Sequence, residues 1–202
     1  MDSKELYELA KEYEEREDLE ETYRYYLEAA LADDDGEAVS KLANMYLNGD
    51  YVDIDFDKSA HYFEIALERD YKIPIYLYIL IGSTYEKESS GTAVEWYRRA
   101  ADAGYSYAYA CLGEHLYHGD ALPQDYKKAY EYFEKSGVHT ISLYYLGLMY
   151  ENGYYVNRNK EKAREYYRRI MDEFPDHKDY GDLHYELAEE RLSALEKQGA
   201  TV

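Results

Sequence analysis

The hydrophobic positions of this chain fall into one short pattern written several times. Leu42–Gly49, Leu112–Gly119 and Leu146–Gly153 each place a leucine, a small residue directly after it and a glycine seven positions on. Ile81 opens a copy that keeps the first half and loses the glycine, while Leu9 and Leu187 open worn terminal copies. Successive small residues (Ala10, Ala43, Gly82, Gly113, Gly147, Ala188) are 31 to 41 residues apart, a period that points to stacked repeats.

A second element recurs with the first. Aromatic pairs stand at Tyr25-Tyr26, Tyr62-Phe63, Trp96-Tyr97, Tyr132-Phe133 and Tyr166-Tyr167. Seven residues before each pair come Asp18, Asp55, Ser89, Asp125 and Asn159. All five are residue types that accept a hydrogen bond from an orphaned backbone N–H, so each register predicts a helix start. The unit is therefore helix–loop–helix. Helices are predicted at 3–16, 19–32, 36–48, 56–69, 74–88, 90–103, 105–118, 126–136, 140–151, 160–173 and 180–197. Glycine weakens a helix interior, so its recurrence at the small position predicts close approach of the paired helix. Between the two helices, Gly49, Gly119 and Gly153 stand where a helix end needs positive φ. Val52, Leu122 and Val156 are expected to tuck the loop onto the core. No linker interrupts the array, which predicts one domain over 1–202 with repeats at 3–33, 36–70, 74–103, 105–137 and 140–174. The last helix, 180–197, reads as a cap with a charged face at Glu186, Glu189 and Glu190.

Composition changes this picture in three places. With 23 basic and 43 acidic side chains the net charge is −20, which argues against nucleic-acid and anionic-membrane surfaces. One cysteine, Cys111, excludes an intrachain disulfide framework and fits a reducing compartment. With no export signal in MDSKELYELAKEYEERED and no membrane-length apolar run, a cytoplasmic protein is expected. The chain also holds 29 tyrosines against four phenylalanines and one tryptophan. Tyrosine can pack a core or serve a binding surface, since its ring is apolar and its tip polar.

Leucine-small-x-x-Tyr-x-x-Gly, a loop apolar residue, then Asp-x-x-Lys-Ala-x-x-aromatic-Tyr resembles the Sel-one-like repeat family, a relative of the tetratricopeptide repeats. The segments from Cys111 to Gly137 and from Leu146 to Arg169 carry it best, and the likeness covers about residues 5 to 190. The copy from Ile81 to Ala100, with its short KESSG loop, departs toward a plain tetratricopeptide unit, and Phe174-Pro175 resembles the end of one. The resemblance implies an all-α, right-handed superhelical solenoid that serves as a protein-interaction scaffold or adaptor. It also implies that the first helix of each pair lines a concave face. Mapped onto this sequence, that face takes Tyr7, Tyr76, Ile79, Tyr107, Glu114, Tyr117, His118, Tyr144, Glu151, Tyr185 and Glu189. Six of these are tyrosines, and tyrosine gives rigid contact area with few rotatable bonds. Glu86, Glu114, Glu151 and Glu189 would favour a basic or polar ligand. The alternative is that these rings cover neighbouring helices and the acids are a solvated face.

Other constellations are thin. His115 and His118 are three apart on one helix but lack a convincing third metal ligand. Asp53, Asp55, Asp57 and Glu64 imitate a calcium loop, yet Lys58 stands where its glycine is needed and Asp55 is a helix cap. Cys111 reads as a small core residue. No nucleophile–base motif, phosphate loop or paired-cysteine motif is present, so no enzyme activity, cofactor or metal is expected. The function expected is binding of a peptide, loop or helix of a partner on the tyrosine-rich face. The alternative is an acidic inhibitor or mimic that captures a basic, nucleic-acid-binding protein through its outer surface. Partner identity and oligomeric state are not written in the sequence.

Overall fold

The computed structural model describes residues 1–32, 36–86, 90–179 and 181–199. Its regular elements are helical: α1 (Ser3–Glu15), α2 (Leu19–Ala32), α3 (Gly36–Asn48), α4 (Phe56–Glu68), α5 (Tyr76–Tyr85), α6 (Ser90–Asp102), α7 (Tyr107–His118), α8 (Tyr126–Ser136), α9 (Thr140–Asn152), α10 (Lys160–Glu173) and α11 (Leu183–Gly199). A 3₁₀ turn, Pro175–Lys178, precedes the last helix and was not expected from the sequence. Among the described residues no helix is long and apolar enough to cross a membrane.

The cap register holds wherever it is described. Asp55, Asp125 and Asn159 accept from the backbone N–H groups of Lys58, Lys128 and Lys162 at 2.9, 3.0 and 3.0 Å. Asp18 does the same for Glu21 at 3.3 Å, and Ser89 lies outside the described residues. The same cap residues also close the loop behind them. The N–H groups of Asp55, Asp125 and Asn159 donate to the carbonyls of Tyr46, Leu116 and Tyr150 at 3.0, 2.9 and 2.8 Å. Each cap thus starts one helix and finishes the one before it, which explains why loop length is fixed in these three units. Gly119 and Gly153 take φ of 75° and 79° so that the chain can turn there. Val52, Leu122 and Val156 are half-buried against the core, as expected.

Packing explains the aromatic pairs. The second ring of each pair (Tyr26, Phe63, Tyr97, Phe133, Tyr167) is buried. The first ring covers its flank, except that Trp96 is buried too. The small residues give those second rings room: a side chain on Gly113 would begin 2.7 Å from the Phe133 ring. Cys111 is buried in α7.

The chain divides into two compact units, residues 1–89 and 90–202. In the first, α1 packs on α2, α2 on α3, α3 on α4 and α4 on α5; in the second, α6 on α7, α7 on α8, α8 on α9 and α9 on α10. α11 covers α9 and α10, with Ala188 and Leu195 buried and Glu186, Glu189 and Glu190 exposed. The division runs through the expected repeat 74–103, assigning α5 to one unit and α6 to the other. That repeat is the one whose loop lacks the glycine and the tucked valine. Its first helix also starts later than the expected residue 74, since no side chain caps it and Pro74 and Ile75 form a turn before Tyr76, while residues 87 and 88 of the expected range lie outside the described residues.

Candidate functional site

The residues expected on one face fall in both units. In the first, Tyr7 is buried against the Tyr26 ring, centroids 5.6 Å apart, and its hydroxyl donates to Glu37 at 2.7 Å. Tyr76 is 55% exposed at the start of α5, and Ile79 is half-buried. The second unit holds the remaining eight: Tyr107, Glu114, Tyr117, His118, Tyr144, Glu151, Tyr185 and Glu189.

Burial separates these positions. Tyr7, Tyr117, Tyr144 and Tyr185 are each less than 10% exposed, so their ring faces are spent on packing. Tyr117 lies among Tyr126, Tyr145, Tyr154 and His118, with centroids 4.8 to 6.0 Å away. Tyr107 is half-buried, edge-on to His139 at 5.1 Å. Burial pushes the Tyr107 phenol up and His139 down.

Around these rings, α7, α9 and α11 bring together a polar network. Its hub is Tyr145, a residue the sequence pattern does not single out. The Tyr145 hydroxyl donates to Glu114 Oε1 at 2.7 Å and also lies 2.8 Å from His118 Nε2. A phenol has one proton, and the carboxylate takes it. His118 must therefore be the donor in the second bond, protonated on Nε2. His184 Nε2 stands 3.8 Å from the same Glu114 oxygen. Burial pushes the Glu114 carboxyl up, but His184 and Tyr145, with the charge of His118 beyond, outweigh it and hold Glu114 below the usual glutamate range.

A second cluster adjoins it. The Tyr167 hydroxyl donates to Glu151 Oε2 at 2.9 Å, and Arg191 reaches Glu151 Oε1 at 3.5 Å. Tyr26 and Glu14 repeat the first of these bonds at the same register of the first unit, at 2.7 Å. A buried tyrosine needs an acceptor, and a glutamate four residues after the small position supplies it. Glu151 is thus engaged within the fold, and Glu189 lies 2.8 Å from Lys178. The acid excess sits elsewhere: residues 1–89 hold 9 basic and 24 acidic side chains, residues 90–202 hold 14 and 19.

Tyr145, His184 and Arg191 were missed because each acts on a helix 27 or more residues away. The available signal was height: Arg191 and Glu151 stand three and four residues after their own small residues, level with each other on successive first helices.

The thinner candidates resolve locally. His115 is buried and bonds Asp120 at 2.9 Å, while His118 turns to Tyr145. Among the described residues no group of three histidine, cysteine or acidic side chains gathers as a metal site. Asp55 is spent as the α4 cap. A cleft of about 320 Å³ beside the α7–α8 loop is lined by Arg98, Leu116, Leu122, Asp125 and Lys128 among others, without a nucleophile beside a base.

The sequence matches the family model described as Sel1 repeat over residues 6–34, 36–71, 81–105, 106–137 and 140–170. No curated protein matches it. Among solved structures it is similar to c5321, a protective antigen present in uropathogenic Escherichia coli strains displaying an SLR fold. The two are 22% identical with a TM-score of 0.62, over 90% of this chain and 37% of that one, so this chain spans little more than a third of that protein. A Sel1 repeat protein from Oxalobacter formigenes is 20% identical, with a TM-score of 0.59, over 88% of this chain and 72% of the other. The MamA protein is 18% identical, with a TM-score of 0.57, over 89% and 96%. At such identities the likeness is one of fold: an all-α solenoid. With five matches along most of its length, this chain belongs to the Sel1 repeat family, whose repeats serve generally in protein–protein interaction.

Proposed function

We propose that this chain is a non-enzymatic protein-binding module, and that its second unit holds a polar, extended segment of a partner protein across α7, α9 and α11. The observation that carries this reading is the convergence of Glu114, His118, Tyr144, Glu151, His184 and Arg191 from three helices. Buried rings fix several of these groups, so little side-chain freedom is lost on binding. Histidines and Arg191 offer donors, and the carboxylates keep lone pairs free for acceptance. Such a mixed set suits the amides and polar side chains of a peptide better than a row of lysines, because both central carboxylates already have partners. The segregation of acidic residues into 1–89 supports a second reading, in which that unit captures a basic protein and binding weakens steeply with salt.

Peptides selected from a random display library on the immobilised chain would test this. Tyr107→Ala, His118→Ala and Arg191→Ala are each expected to weaken the selected peptides about tenfold, the size of a loss of about 1.4 kcal/mol. Peptides indifferent to all three changes, and released by moderate salt, would move the function to the acidic surface.

A further inference from the structure

We infer that the α3–α4 loop of the first unit is a docking ridge for a positively charged amphipathic segment of a partner protein. This ridge is separate from the α7–α9–α11 face, and the inference does not rest on the reading given for that face.

The ridge is built from alternating chemistry. Tyr51, Ile54 and Phe56 are 49%, 58% and 50% exposed, and Asp50, Asp53 and Asp57 stand between and beside them, all exposed. Exposed apolar side chains grouped within a polar rim mark interaction sites more often than scattered ones do. The acids are not neutralised locally. Lys58 is held by Asp55 at 3.2 Å. Asp50 accepts from the neutral amide of Asn48 at 3.3 Å. Among the described residues, Asp53 and Asp57 have no cation within ion-pair distance.

The loop that presents this ridge is held in place. Asp55 N–H donates back to Tyr46 O, and Val52 packs on the core. Ile54 Cγ1 lies 2.9 Å from where a side chain on Gly49 would begin. The Tyr51 ring rests on Tyr23 at 5.7 Å, and the Tyr23 hydroxyl is bonded to that of Tyr46 at 2.9 Å. Beside it, Asp50 borders a cleft of about 240 Å³ with Asn44, Met45 and Asn48, in which Lys41 is paired with Glu14 at 3.0 Å.

The second unit contains an internal comparison. There Tyr155 takes the place of Tyr51, with φ of 63° against 67°. It packs on Tyr130 at 5.6 Å, and Tyr150 stacks on Tyr166 at 5.7 Å and 15° as Tyr46 stacks on Tyr62 at 5.6 Å and 15°. The ring row is thus common to both loops and supports each. The exposed chemistry is not common. Asn157, Arg158 and Lys160 stand where the first unit has Asp53, Ile54 and Phe56. Of these two loops, and among the described residues, only the first joins exposed aliphatic and phenyl side chains to acids without an ion-pair partner, and it lies in the unit with 24 acidic and 9 basic residues. Charge would steer a basic segment there and the three apolar side chains would anchor it. Lysine or arginine alternating with leucine-like residues is the matching partner chemistry.

The test is fluorescence anisotropy with a labelled Leu/Lys amphipathic peptide and its Leu/Glu counterpart. The chain should bind the first and not the second. Changing Ile54→Ser and Phe56→Ser together should weaken binding at least tenfold at low and moderate salt. Asp53→Asn with Asp57→Asn should weaken it at low salt and flatten its salt dependence. Asn157→Ala with Lys160→Ala, in the corresponding loop, should leave it unchanged. Circular dichroism melting establishes that each variant is folded. Equal binding of the Leu/Glu peptide, or indifference to Ile54→Ser and Phe56→Ser, would overturn the assignment. So would self-association in sedimentation that those two changes abolish, since the occupant would then be a second copy of the chain.

Discussion

Replacing Gly147 by alanine is expected to destabilise the second unit, and the same replacement in a Tyr167→Ala background is expected to stabilise it. Intrinsic preference alone predicts a gain in both, since alanine is favoured over glycine by about 1 kcal/mol inside a helix. Packing reverses the sign in the native protein. A side chain on Gly147 would meet the Tyr167 ring, with Cδ1 and Cζ at 2.9 Å, well inside the carbon–carbon contact distance of about 3.5–4.0 Å. The ring has no room to yield, because it is fully buried and its hydroxyl is bonded to Glu151. Overpacking of this kind costs about 1–3 kcal/mol, so the net loss is up to about 2 kcal/mol. Tyr167→Ala alone should cost about 3–5 kcal/mol as a large-to-small core change. With the ring gone, the helix preference of alanine is all that remains. Chemical denaturation of the four proteins measures the coupling. A Gly147→Ala protein as stable as the native one would show that the small position is not kept small by the aromatic ring.

Tyr145→Phe is expected to lower stability by about 0.5–1.5 kcal/mol at neutral pH, the net worth of a hydrogen bond whose partners, half-buried Glu114 and exposed His118, water can reach. Glu114 loses a donor and His118 an acceptor. The pH dependence distinguishes this from simple loss of packing. Glu114 is held below its unfolded value of about 4.3. Its contribution is therefore present above about pH 4.3 and is lost as pH falls through the folded value. Removing the Tyr145 hydroxyl moves the folded value up toward the unfolded one. The gap between native and variant should be widest near neutrality and shrink below about pH 4. His139 adds a separate acid sensitivity shared by both proteins. Burial lowers it, so its stabilisation is present above its unfolded value of about 6.5 and is lost as pH falls below that. A gap that stays constant from neutral to acid pH would remove Glu114 from the account.

The pairing of helices was legible because its causes are local. Asp55, Asp125 and Asn159 declare helix starts, the left-handed glycines declare the turns, and the small residues declare where a ring crosses. The tyrosines were harder. Tyr7, Tyr144 and Tyr185 stand three residues before the small position, a turn away from the point of closest helix approach, and are buried. Tyr76 and Tyr107 stand six before it, one turn further out, and are more open. Those two registers look alike in a sequence and differ in space. The network was harder still. His184 and Glu114 are 70 residues apart, and their approach depends on helix spacing and on side-chain length. The same limit applies to charge: a net −20 says nothing of its concentration in residues 1–89 until the chain is seen to divide there.

The most direct measurement of the central claim is photo-crosslinking of a selected partner peptide, with the adducts mapped on the chain. The account predicts adducts on α7, α9 and α11, at residues such as Tyr107, His118 and Arg191. Adducts confined to α8 and α10, around Lys127, Glu131 and Glu165, would contradict it.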